Sequence, residues 1–170
     1  MARLQSIIPL IAVLCLISAV AVVAEDSNGE GEGQFQVQGS VYCDTCRAGF
    51  VTIKTTFISG AKVKMECHNR TTHKLTFEVE AQTDPNGSYA MTVTGDHEDD
   101  VCEVILVSSS MQGCTEIKSP LNRARVMLTS NNGISSGFRY ANALGFMKDK
   151  PVDGCSELLA KYILSDETVF

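Results

Sequence analysis

The sequence predicts an all-β domain: an antiparallel β-barrel or sandwich of about seven strands, carrying three disulfides, with room for one short C-terminal helix. Three observations carry that expectation. Apolar residues recur with period two over several stretches, turn signals separate those stretches, and the cysteine count is even once an N-terminal leader is removed.

The leader comes first in the chain. Arg3 supplies a positive start, Ile7 to Ile17 form an apolar run, and Val22-Val23-Ala24 offers the small residues a signal peptidase reads, so residues 1–24 are expected to leave by cleavage before Glu25. Cleavage after Ala21 is a second option. The apolar run is shorter than the roughly 20 residues of a membrane span, so the mature chain is expected to be secreted and extracellular, with no membrane insertion. Removing the leader takes Cys15 and Arg3 with it, leaving six of the seven cysteines and moving the net charge from −6 to −7. In an oxidising compartment six cysteines pair as three disulfides.

Residues 25–34 hold no apolar side chain and read as a flexible acidic arm, because they cannot bury enough surface to offset their ordering entropy. Residues 35–170 read as a single disulfide-bonded β domain. Phe35, Val37, Gly39 and Val41 alternate with Gln34, Gln36, Gln38 and Ser40; Ala61, Val63, Met65 and Cys67 alternate with lysines and Glu66. Leu75, Phe77, Val79 and Ala81 repeat the pattern, Asp84-Pro85-Asn86-Gly87 turns the chain, and Tyr89, Met91 and Val93 resume it. Val51 to Phe57, Val101 to Val107 and Arg125 to Thr129 add three β-rich runs, bounded by Ile58-Ser59-Gly60, by Gly95 to Asp100 and by Ser130-Asn131-Asn132-Gly133. A helical pattern is confined to Ser156 to Leu164, with Ser156 as its N-cap.

The chemistry of the chain is read mainly from its cysteines. Cys43-Asp44-Thr45-Cys46 has three uses open to it: a redox pair, half a zinc site, or two anchors for separate long-range disulfides. A redox pair should open a helix whose N-terminus lowers a thiol pKa, yet Arg47-Ala48-Gly49-Phe50 leads into β-rich sequence. Zinc needs a second closely spaced pair, and Cys67-His68 is the nearby candidate without a partner spacing. Two structural anchors is the reading adopted, and no metal or cofactor is expected.

Nothing points to catalysis. His68 and His73 bracket a polar hairpin tip, and His97 lies in Asp96-His97-Glu98-Asp99-Asp100, which lacks the ligand alternation and glycine of a calcium loop and reads as a solvated turn. The acidic balance and the lack of any Lys/Arg cluster exclude nucleic acid as a partner. Two sequons, Asn69-Arg70-Thr71 and Asn86-Gly87-Ser88, sit at turns and are candidate glycosylation sites; Asn69 is expected to be occupied, and Asn86, inside a tight turn, less fully.

Gly39-Ser40-Val41-Tyr42-Cys43-Asp44-Thr45-Cys46-Arg47 resembles the signature of the pollen proteins typified by the major olive pollen allergen, a group that includes the tomato late-anther protein. Ser59-Gly60-Ala61-Lys62-Val63 with Cys67, Gly95-Asp96-His97-Glu98 with Cys102, Cys114, and Asn142-Ala143-Leu144-Gly145-Phe146-Met147-Lys148 with Pro151 and Cys155 extend the resemblance from Phe35 to Cys155. The resemblance implies disulfides from Cys43 to Cys114, Cys46 to Cys155 and Cys67 to Cys102. It also implies a secreted plant glycoprotein without enzymatic activity, an allergen in many relatives, acting in pollen hydration, germination or pollen-tube growth through an extracellular receptor-like protein. A secreted hydrolase or protease inhibitor with an unrecognised reactive loop is the alternative.

Overall fold

A computed structural model of the chain describes residues 33–166. The leader expected over residues 1–24 lies outside the described residues, as does all but the end of the acidic arm. The described residues form ten strands and one helix: β1 (Gln34–Asp44), β2 (Thr56–Phe57), β3 (Lys62–Asn69), β4 (Leu75–Gln82), β5 (Ser88–Thr94), β6 (Asp100–Ser108), β7 (Glu116–Ile117), β8 (Arg123–Val126), β9 (Phe138–Tyr140), β10 (Leu144–Met147) and α1 (Cys155–Asp166).

The strands make two sheets, so the sandwich reading holds and the closed barrel does not. One sheet runs β4-β3-β6-β8, all antiparallel. The other is organised on β1, which is long enough to serve two sets of partners. Its first half pairs β5 antiparallel and β9 parallel, and its second half pairs β2 antiparallel and β10 parallel. The two parallel ladders correct the all-antiparallel expectation. They arise because β9 and β10 return to β1 from far down the chain, a crossover that period-two patterning does not reveal.

The partner change at the middle of β1 explains its burial. Phe35 and Val37 are buried between exposed or half-buried glutamines, whereas Val41 to Asp44 are buried without a break. The core lies between the sheets, with Val37, Val41, Met91 and Val93 facing Val63, Met65, Val104 and Val126. Complete burial of such side chains stabilises by about 1.5–3 kcal/mol each.

Four other expectations need correction. The run from Val51 to Phe57 is β only at Thr56 and Phe57, because Thr52 turns it: the Thr55 amide donates to the Thr52 carbonyl at 3.0 Å. The strand expected from Arg125 to Thr129 ends at Val126, after which Arg139 takes the Met127 and Thr129 carbonyls. On β4 the apolar face is only half dry; Leu75 is exposed and Phe77, Val79 and Ala81 are partly buried, since β4 is a sheet edge. The helix starts at Cys155, which places Ser156 inside it rather than at its cap.

Candidate functional site

Cys43 and Cys46 reach different parts of the fold. Cys43 ends on the core side of β1 and is bonded to Cys114, while Cys46 is bonded to Cys155 at the start of α1. The loop that carries Cys46 is set by Asp44, whose fully buried carboxylate accepts from the amides of Ala48 (3.0 Å) and Gly49 (2.7 Å) just beyond it. Arg47 takes a left-handed conformation (φ 54°) and reaches across to β7 and the end of β10, donating to both Glu116 oxygens at 2.5 and 3.1 Å and to the Lys148 carbonyl at 2.6 Å. That hydrogen-bonded ion pair raises the Arg47 pKa and lowers that of Glu116. The stretch is therefore a joint: it fixes β1, the Cys114 loop and α1 in one place.

The third disulfide, Cys67–Cys102, links directly opposed residues of β3 and β6. Beside it lies His97, which the sequence places in a solvated turn. Its side chain is only 10 % exposed, its ring meets Phe77 edge-on at 5.4 Å, and its Nδ1 is 2.9 Å from the Asp100 Oδ2. The same carboxylate oxygen accepts from the Thr76 hydroxyl at 2.6 Å. Burial pushes the Asp100 carboxyl up, but the bonds from Thr76 and His97 outweigh it and hold the group below the ordinary range. Hydroxyl, carboxylate and imidazole thus meet in the wrong order for a hydrolase, because the carboxylate stands between the other two and the imidazole cannot take the hydroxyl proton.

The other histidines and the sequons occupy the hairpin ends. His68 sits half-buried in β3, and His73 is exposed with a left-handed backbone (φ 55°). Asn69 is half-buried, its carboxamide oxygen accepting from the Thr71 and Thr72 amides at 3.1 and 2.9 Å; Asn86 is exposed at the turn between β4 and β5.

Among the described residues, two exposed apolar areas bear on function. One holds the exposed Phe50, Val51 and Ile53, which follow Cys46 in the chain, with Phe50 edge-on to Tyr162 of α1 at 5.5 Å. The other is a shallow groove along β8 and β9, where Met127 (62 % exposed), Phe138 and Tyr140 (75 % exposed) lie beside Arg125. Its floor is fixed by Arg139, which is almost fully buried, stacks on Phe35 at 4.7 Å and donates to the carbonyls of Met127, Thr129, Ser136 and Phe138. Sequence reasoning missed both His97 and Arg139. The one signal for Arg139 was a cation flanked by aromatics in a strand-like triplet.

Comparison with known proteins agrees with this architecture. The family model described as "Pollen protein Ole e 1 like" matches residues 33–163. The chain is 44% identical to the pollen allergen Che a 1 of Chenopodium album over 169 residues, covering 98% of each chain. It is 43% identical to the anther-specific protein LAT52 of Solanum lycopersicum over 147 residues, covering 86% of this chain and 91% of that one. The crystal structure of the major plantain pollen allergen Pla l 1 superposes with a TM-score of 0.65 at 30% identity, covering 72% of this chain and 99% of that one.

Proposed function

The chain belongs to the Ole e 1-like pollen protein family, and from that premise we propose that it is a secreted, non-enzymatic glycoprotein acting in pollen hydration, germination or pollen-tube growth by binding an extracellular receptor-like protein. The observation that carries the reading is the groove of Met127, Phe138 and Tyr140 beside Arg125, presented on a disulfide-locked scaffold. Exposed aromatic and Met side chains flanked by arginine are the composition of energetically important protein contacts. Rigid support from Arg139 lowers the ordering cost of binding. The names of relatives, pollen-specific or anther-specific, support the tissue.

The test is capture of a receptor ectodomain from pollen-tube or stigma extracts on the folded protein, followed by measurement of its affinity. Tyr140→Ser with Met127→Ser should weaken that complex at least tenfold while leaving thermal stability within a few degrees, and reduced, alkylated protein should capture nothing. Catalytic turnover of a glycan, RNA or peptide substrate, abolished by one carboxylate substitution, would replace this reading with the hydrolase.

A further inference from the structure

We propose that reduction of the Cys67–Cys102 disulfide converts its two sulfurs, together with His97 Nε2, into a binding site for a divalent zinc-class ion. A ring nitrogen of His97 and the two sulfurs lie within 4.8 Å of one another, the one such grouping found among the described residues. The two nitrogens of the ring are not equivalent. Nδ1 faces the Asp100 carboxylate, which can only accept, so the neutral ring places its proton on Nδ1 and leaves Nε2 with a bare lone pair. Nε2 is buried and has no hydrogen-bond partner. A buried acceptor left unmatched costs free energy, and a metal ion is the partner its lone pair and the neighbouring sulfurs would share. The Asp100–His97 contact is also the outer-shell arrangement that orients a metal-binding imidazole and raises its basicity.

The sheet keeps the sulfurs in place when their bond is opened. Cys67 and Cys102 are directly opposite on adjacent antiparallel strands, 4.0 Å apart at Cα, and the register continues through Glu66 with Glu103 and His68 with Val101. Reduction therefore leaves both thiols on a backbone ladder that does not depend on them. A dithiol reductant supplies two electrons and two protons, becoming a cyclic disulfide while Cys67 and Cys102 become thiols. The ion then displaces both thiol protons. Two thiolates and one divalent cation make a neutral centre, suited to a buried position, with the fourth ligand a water molecule. At a metal–sulfur distance of about 2.3 Å, tetrahedral ligand atoms stand roughly 3.7 Å apart. The sulfurs must part, and the imidazole, within 4.8 Å of them, must close in. Disulfide and metal are thus alternative occupants of one place.

Cobalt(II) is the probe, added to the full mature protein after graded reduction with a dithiol, with the opened bond identified by alkylation and mass spectrometry. The expected result is one Co²⁺ per chain with a thiolate-to-cobalt charge-transfer band, absent from the oxidised protein and from Cys67→Ser/Cys102→Ser. His97→Gln should weaken binding at least tenfold, and Asp100→Asn by about 10–100-fold. Bound cobalt should slow alkylation of Cys67 and Cys102 and leave the other four cysteines unaffected. A reduced chain that shows no charge-transfer band, whether because the ion does not bind or because the fold is lost once the bond opens, overturns the proposal. So does a band of undiminished affinity in His97→Gln.

Discussion

Replacing Cys46 and Cys155 together by alanine should cost about 4 kcal/mol of stability and release α1 before the rest of the domain unfolds. The bond spans 109 positions, for which the loop-entropy relation gives about 4.8 kcal/mol. That figure ignores the neighbouring disulfide. With Cys43–Cys114 intact, the path from Cys46 to Cys155 runs three positions back to Cys43, across the bridge, and 41 positions on from Cys114. The effective loop of about 44 positions lowers the estimate to about 4.0 kcal/mol, which for a domain of this size is a fall in Tm of about 12 °C. Locally, the C-terminal segment would retain the Lys148 amide on the Asp44 carbonyl at 3.3 Å, the Val152 amide on the Thr45 carbonyl at 3.0 Å, and the Phe50–Tyr162 ring contact. Without the covalent tie α1 is held to the domain by noncovalent contacts of this kind, so amide exchange over residues 155–162 should accelerate well beyond that of β3 and β6. Urea unfolding gives the first quantity and exchange mass spectrometry the second. A loss below about 1 kcal/mol would refute the entropic account, and uniform exchange across the domain would refute the independent release of α1.

Gly39 pairs directly with Tyr89, and a Cβ at Gly39 would lie 2.3 Å from the buried Tyr89 hydroxyl oxygen. Gly39→Ala should therefore cost about 1–3 kcal/mol in denaturant unfolding, and less in a Tyr89→Ala background, where the ring whose Cζ would also lie 2.5 Å from that Cβ is absent. Acid should destabilise the loop around His97: the backbone bond from Ser130 chiefly lowers the Asp96 pKa, and Thr76 and His97 hold that of Asp100 down. The stability they add is fully present above the unfolded value of about 3.9 and is lost as pH falls through the lower folded values, so the acid slope of Tm should flatten in Asp96→Asn. Intact-mass analysis of plant-made protein should show a glycan removed by Asn69→Gln and a smaller fraction removed by Asn86→Gln; an unmodified Asn69 would contradict this.

Much of the fold was legible because β1, β3 and β5 each bury one face, and a half-buried strand writes its geometry as alternation. What was not legible is where such writing fails. The second half of β1 is covered on both faces, and Val41-Tyr42-Cys43-Asp44 reads the same whether its neighbours are parallel or antiparallel. Short β9 and β10 carry too few residues for a period, and their parallel pairing is fixed by contacts from far along the chain. The end of β8 depends on Arg139, whose guanidinium replaces ladder partners for the Met127 and Thr129 carbonyls.

The sites divide along the same line. Turn chemistry is local, so Asp84-Pro85-Asn86-Gly87 declares itself: Gly87 adopts φ 75°, and a Cβ there would meet the Phe57 side chain at 2.7 Å. The character of His97 is not local. Five polar residues in a row read as solvent-facing, yet the pairing of β6 with β3 lays Asp100 beside Thr76 and draws His97 over Cys67, Cys102 and Phe77. Spacing rules for metal ligands search along the chain, whereas here the two sulfurs are 35 positions apart and adjacent only across a ladder. A histidine beside an acidic run, five residues before a half-cystine, is the weak signal that was present. Only the strand register turns it into geometry.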